Sequence, residues 1–257
     1  TYASKGKARG RRKSSETFGS WLSEAEWILA VDTATETLSL ALFDGQRVVA
    51  ESSWPARMRH TVELAPAVAG LLRRANIKPS EIRAVGVAQG PGSYTALRIG
   101  IAFALGFALP RNLPVIGVPT FDILVRAQPA TDKELAAVLA AGRSRIVWCA
   151  YKASAGAWKA AGEPRVATWE ELAAAAPKRA RICGEIDRAG RTALAKRRDL
   201  KFAPPHRNVR RAGVLAEIAA EHARDPETRP MLLQPIYLDA LTTKSLPAIP
   251  DGTKGNG

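Results

Sequence analysis

Asp32 closes an apolar run, Trp27-Ile28-Leu29-Ala30-Val31, and Thr33-Ala34-Thr35 follow it directly. A carboxylate at a strand end can hold a divalent cation, and hydroxyls in the next turn can face a phosphate. Hydrolysis across two metals needs further carboxylates converging on the same point. The strand placed to supply them ends Val87-Ala88-Gln89-Gly90, with no acid. Asp32 therefore keeps two readings: a turn acid capping backbone amides, or a residual nucleotide contact. Gly90-Pro91-Gly92-Ser93-Tyr94-Thr95 also has two. Its glycines and helix-start amides suit an anion, while a tight turn with Ser93 as N-cap explains the same residues. Asp32, Thr33, Thr35, Gly90, Gly92 and Ser93 together form a candidate vestigial phosphate loop, without the lysine or acid of a P-loop or dinucleotide motif.

Other chemistries lack their residues. The three histidines are His60, His206 and His222, and no two share a helical spacing that would hold zinc. His60 reads as a helix-start residue. Ser93 and His206 make a hydrolase triad only on paper, because no G-x-S-x-G elbow exists. No residue is assigned a catalytic role and none a metal.

The elements that position these residues follow from periodicity. Residues 27–32, 39–44 and 47–52 read as three strands, the last two joined through Asp44-Gly45. A helix over 61–75 follows, then a strand over 82–89, a helix over 94–109, a strand over 115–118 and a helix over 121–127. Three antiparallel strands and then alternating helix and strand is the order of an RNase H-like mixed sheet with helices on both faces. Beyond it, 135–141 and 145–152 read as a strand pair. Thr168 and Glu171 open a helix over 169–175, 181–183 forms a strand, and 214–223 a helix. A reduced second copy of the same half-fold fits this pattern. The expected division is a basic disordered extension 1–26, a first lobe 27–128, a second lobe 129–246 and a loose tail 247–257.

The two first-lobe helices carry surplus apolar surface. Leu64, Val68, Leu71, Leu72 and Ala75 form one stripe, and Val62, Ala65 and Ala69 a second. From Ala96 to Leu109 the only charge is Arg98, and Gly100, Ala102, Ala104 and Gly106 would admit another helix closely. A helix apolar on every side needs burial on every side, either by another subunit or by the second half of this chain.

Composition sets outer bounds. The chain has 257 residues, 46% of them hydrophobic, which suffices for one large or two small domains. No apolar run is long enough for a transmembrane helix, and Cys149 and Cys183 read as buried free thiols. Together these lead to the expectation of a cytoplasmic protein. The formal net charge is +14, and residues 178–211 hold twelve Lys/Arg against three Asp/Glu. Arg197, Arg198, Lys201, Arg210 and Arg211 are the candidate RNA contacts there; a solvated basic face is the alternative.

The segments Ile28-Leu29-Ala30-Val31-Asp32-Thr33-Ala34-Thr35 and Gly90 to Gly100 resemble the paired signatures of the TsaB family, also called YeaZ. His60-Thr61 before Leu64 and Pro66, Gly117-Val118-Pro119-Thr120, and Pro235-Ile236-Tyr237-Leu238 look similar too. The resemblance implies an actin-like (ASKHA) fold of two lobes without its own catalysis or cofactor. It implies pairing with the TsaD subunit, or self-association, through the first two helices. The corresponding interface here would be His60, Thr61, Leu64, Val68, Leu72, Arg98, Ile101, Ala102, Leu105 and Phe107. ATP and metal would belong to TsaD, a TsaE ATPase would bind the pair, and the product would be threonylcarbamoyladenosine next to the tRNA anticodon. Alternatives from the residues alone are an actin-fold ATPase or peptidase-like enzyme, and a free RNA-binding module.

Overall fold

The computed structural model describes residues 27–131, 133–142, 145–224 and 233–236. The extension 1–26, the tail 247–257 and the pair Tyr237-Leu238 lie outside them. The described residues form two sheets with one topology. In the first, β1 (Trp27–Asp32), β2 (Thr37–Phe43), β3 (Val48–Pro55), β4 (Ile82–Gly90) and β5 (Val115–Pro119) lie in the order β3-β2-β1-β4-β5. The first three are antiparallel, and β4 and β5 run parallel to β1. In the second sheet, β6 (Leu135–Ala140), β7 (Ile146–Ser154), β8 (Ala157–Ala160), β10 (Arg181–Gly184) and β11 (Lys201–Phe202) lie in the order β11-β10-β6-β7-β8. Short β9 (Arg165–Ala167) pairs β7 off that path. Reading β6 as the first strand, the second sheet repeats the first, with β8, β10 and β11 shorter than their counterparts.

Helices cover both faces of each sheet, and the reason lies in which side chains the strands offer. Leu29, Val31, Leu38, Leu40 and Leu42 point to one face and bury against α1 (His60–Arg74). Val85 and Val87 of the same face bury against α2 (Tyr94–Ala108). Alternate residues Ile28, Ala30, Ala41 and Phe43 point the other way, onto α6 (Ala212–Arg224). Ala136, Val138 and Ile182 of the second sheet pack on α4 (Trp169–Ala175) and α5 (Arg188–Ala195). Its opposite face takes α3 (Thr120–Arg126), whose Phe121, Leu124 and Val125 meet Leu135, Ala137 and Leu139. The helix that ends the first lobe thus covers the second sheet, and the helix that ends the second covers the first.

This exchange corrects the expected division at 128. Residues 212–224 pack on the first sheet, and the amide of Ile236 donates to the Gln89 carbonyl at 2.8 Å. Four second-lobe elements had no sequence signal: β8, β9, α5 and β11. Ala-Trp-Lys-Ala offers one strand former, β11 has two residues, and α5 holds Gly190 in its first turn. Gly190 is required because the Trp169 ring occupies the place of a side chain, 2.6 Å from where a Cβ would stand.

The approach of α6 to β4 is equally tight at Gly86, whose added Cβ would lie 2.7 Å from Leu215 Cδ2 and 2.8 Å from the Ala219 Cβ. Gly86→Ala is therefore expected to destabilise the protein by about 1–3 kcal/mol through overpacking. Urea unfolding reads this directly, and an unchanged midpoint would contradict the seating of α6.

Candidate functional site

The loop of Gly90 to Ser93 and the turn of Asp32 to Thr35 do meet, at the C-terminal ends of β1 and β4. Two hydrogen bonds tie them together. The Ser93 amide donates to the Ala34 carbonyl at 2.7 Å, and Thr33 Oγ1 donates to the Ala96 carbonyl at 2.7 Å. Gly92 lies against the Ala34 carbonyl and Gly100 against Thr33 Oγ1, with no room for a Cβ at either. Gly90 abuts the Ile236 carbonyl in the same way. The glycines serve close packing, which suits the tight-turn reading of this loop. Ser93 holds the N-cap position of α2 without a capping hydrogen bond from its side chain.

Asp32 is fully buried and has two jobs. Its Oδ1 accepts the Ala34 amide at 2.8 Å, as expected of a turn acid. Its Oδ2 accepts from Arg210 Nε at 2.9 Å. Arg210, with a side chain only 3% exposed, is also paired through Nη1 with Glu185 Oε1. Its Nη2 donates to Thr35 Oγ1 at 2.7 Å, and that hydroxyl donates to Glu185 at 2.5 Å. One guanidinium thus joins an acid of each lobe and fills the space between the two strand ends. Burial works against its charge, but the two carboxylates overcome this and hold it protonated. Burial alone would raise the Glu185 carboxyl. Arg210, the Thr35 hydroxyl and the Ala140 amide outweigh it and hold the carboxyl below its ordinary value.

Placing Arg210 here overturns its expected role as an RNA contact. Arg211, beside it, turns outward and pairs with Glu51, while Arg197 pairs with Asp199 at 2.8 Å and donates to the Ala173 carbonyl at 2.7 Å. Of the five expected contacts, Arg198 and Lys201 alone are exposed and have no carboxylate partner among the described residues. Nothing in the local sequence marks Arg210; the available signal was Asp32 itself, since a charge buried in a strand demands a counter-charge.

The interface residues also divide. His60, Leu64, Val68, Leu72 and Ile101 are buried against the chain's own sheet, and Phe107 is half-buried between the helices. Desolvation lowers the His60 pKa, so the ring is held neutral. Bulky side chains took the sheet-facing stripe, leaving the smaller ones outside. On α1 the outer face carries Thr61, Val62, Ala65 and Ala69; on α2 it carries Arg98, Ala102, Leu105 and Gly106. Arg98 lies over the Tyr94 ring, 3.9 Å from its centroid. Ala104, one of the small residues expected to face another helix, is fully buried. Val62 is 61% exposed and Leu105 46%, and Leu109, just past α2, 80%. No described part of the second lobe covers this face, since α4 and α5 lie on their own sheet and α6 on the opposite face of the first.

Among the described residues, no three His, Cys, Asp or Glu side chains gather as a metal site, and no helix is long and apolar enough to cross a membrane. Cys149 and Cys183 are buried and free, with burial pushing the thiols up to about 11 and about 12.

Comparison with known proteins agrees with this geometry. Residues 55–226 match the family model described as TsaD, tRNA N6-adenosine threonylcarbamoyltransferase. The Escherichia coli (strain K12) protein named tRNA threonylcarbamoyladenosine biosynthesis protein TsaB is 40% identical over 129 residues, 49% of this chain and 54% of its own length. Its Bacillus subtilis (strain 168) namesake is 33% identical over 119 residues, 46% of this chain and 52% of its own. The chain thus spans about half the length of the curated relatives it matches. The solved structure of YeaZ from Pseudomonas aeruginosa superposes with a TM-score of 0.62 at 26% identity, covering 83% of this chain and 100% of that one. A second structure from that organism, titled as similar to peptidase YeaZ, gives 0.63 at 27%, covering 83% of this chain and 99% of that one.

Removing the interlobe guanidinium should be costly. Arg210→Ala leaves two acids without their cation, and a loss of about 3–5 kcal/mol is expected in urea unfolding. Acid should act on the same joint. The folded Glu185 carboxyl lies below its ordinary 4.5, so its contribution is complete above that pH and is lost as pH falls through the lower folded value. Between about pH 6 and pH 3 the wild-type melting temperature should fall further than that of Glu185→Gln; parallel curves would remove Glu185 from the account.

Proposed function

The chain belongs to the matched TsaD family, in its TsaB (YeaZ) branch, and on that premise we propose that it is a non-catalytic subunit that pairs with TsaD in the cytoplasm. The pair would place the threonylcarbamoyl group on tRNA adenosine next to the anticodon. The observation that carries this reading is the uncovered apolar face of α1 and α2. Val62, Leu105 and Leu109 stand in water around a floor of Ala65, Ala69, Ala102 and Gly106. Small residues let a facing helix approach closely, and contiguous apolar surface of this kind marks an interaction site.

The interlobe cluster supports the absence of a catalytic role. In a two-lobed fold of this kind, catalysis would need an open cleft with acids free to take a metal and phosphates. Here Asp32 and Glu185 are tied to Arg210, and the loop amide of Ser93 is tied to Ala34. ATP and metal are accordingly assigned to TsaD, and this chain takes no cofactor of its own. The TsaE ATPase is expected to act on the pair rather than on this subunit alone. Self-association through the same face is the second reading, favoured by the same exposed residues, and a titration with TsaD should displace it.

Reconstitution with TsaC, TsaD and TsaE from one organism tests the proposal. Modified tRNA should form only when this chain is present, and the chain alone should hydrolyse neither ATP nor peptide. Product formed equally well without it would sink the reading. Ala102→Arg and Val62→Arg, both outward-facing, should abolish co-elution with TsaD while leaving the melting temperature within a degree or two. Normal pairing by both variants would move the interface elsewhere.

A further inference from the structure

We propose that the end of the second sheet at which its parallel strands begin is a docking surface for the phosphate backbone of a folded, double-helical RNA. Topology concentrates the charge. Because β6, β10 and β11 are parallel, all three chain segments that lead into them arrive at one end of the sheet. Lys133 precedes β6, Lys178 and Arg179 precede β10, and Arg198 precedes β11. The register then places Arg181 directly beside Lys201. Neighbouring strands lie about 4.8 Å apart, so these positive charges form a row across the sheet end rather than a scatter over the lobe.

The antiparallel strands bring further positive charge to the same end, on the other face of the sheet from Arg181 and Lys201. Lys152 of β7 stands directly opposite Lys159 of β8, although like charges facing across strands weaken the pairing. The five strands of this end span about 19 Å at that spacing, enough to follow several phosphates along a duplex, where one charge occurs about every 1.7 Å of axis.

Among the described residues little of this charge is neutralised. The segments leading into the strands hold two described carboxylates, and both are paired: Glu134 with Lys152 at 3.0 Å and Asp199 with Arg197 at 2.8 Å. Lys133, Lys178, Arg179, Arg198 and Lys201 are exposed, Arg181 is partly so, and none has a carboxylate partner among the described residues. A concavity of about 560 Å³ opens beside Lys133 and Lys152, lined also by Thr131 and Glu134.

The aromatic side chains nearby select the form of the ligand. Tyr151 is buried, Trp158 donates its indole N–H to the Gln128 carbonyl at 3.2 Å, and Phe202 lies under Arg191 with 5.5 Å between guanidinium and ring centroid. None stands free as a platform on which an unpaired base could stack, which single-strand binding requires. What remains is recognition by charge and shape, the mode suited to A-form duplex arms. The choice of tRNA as the natural duplex rests on the proposed function; the surface itself does not.

The test uses the full chain alone with fluorescently labelled, unmodified tRNA, and reads anisotropy from about 50 to 200 mM salt. Binding should weaken steeply with salt. The triple variant Lys178→Ala, Arg198→Ala, Lys201→Ala should lose affinity on the order of tenfold near 0.1 M salt. Its slope of log affinity against log salt should be shallower by about 2, approaching one unit for each phosphate no longer neutralised. A first-lobe triple, Arg57→Ala, Lys78→Ala, Arg83→Ala, removes the same charge and should bind like wild type, with melting curves confirming that both triples fold. Equal loss in both triples, no loss in the first, or no RNA binding by the wild-type chain would each overturn the proposal. A second-lobe triple that loses an acidic protein partner but retains tRNA would overturn it as well. Since TsaD is absent from this measurement, its failure leaves the pairing proposal intact, and a failed reconstitution leaves this surface standing.

Discussion

The joint between the two lobes depends on one buried guanidinium. Asp32 ends β1 of one sheet and Glu185 directly follows β10 of the other. Brought together without a cation, each would be a poorly solvated negative charge, and neither lobe could close on its partner without protonating one of them. Arg210 resolves this with a fork of donors that reaches both acids and the Thr35 hydroxyl at once. The main chain helps to fix it, because its carbonyl accepts from Ser39 Oγ at 3.3 Å. Arg211 then turns to Glu51, which also accepts the Gly213 amide at 3.0 Å in the first turn of α6. A carboxylate at that end complements the helix dipole, so the start of α6 is held on both its inner and outer sides.

From that joint the surfaces acquire distinct characters. The cleft that remains beside it, about 420 Å³ and lined by Thr35, Glu36, Trp169 and Glu185, lies outside the guanidinium rather than in its place. The first lobe turns an apolar helical face outward, and the second gathers its positive charge at the end where its parallel strands begin. The interior acids are neutralised, and the exposed surfaces are apolar in one region and cationic in another.

The first lobe was legible because its central strands are continuous apolar runs bounded by turns, and its helices repeat apolar residues at three and four positions. The second resisted because its sheet is built largely from alanine, as in Leu135-Ala136-Ala137-Val138-Leu139-Ala140, and its connecting helix α5 is eight residues long. Adjacency of the Asp32 turn and the Gly90 loop could be read from strand order. Which of 38 basic residues fills the space between them could not, since Arg210 is 178 positions from Asp32 and no local pattern distinguishes it. The helices taught a different lesson. Two apolar stripes announced two buried faces, yet the stripe with Leu64, Val68 and Leu72 belonged to the chain's own core, and the outward one was built of Val62 and alanines.

The crossing of α3 and α6 has a bearing on how the chain matures as it leaves the ribosome. The first sheet emerges with α1 and α2 ready to cover one face, but the other face waits for residues 212–224, at the far end of the described fold. Ile28, Ala30, Ala41 and Phe43 therefore stay open to solvent while nearly the whole second lobe is being synthesised. Neither sheet is covered on both faces by helices of its own half. The lobes look like two domains, but each borrows from the other the helix that covers its second face.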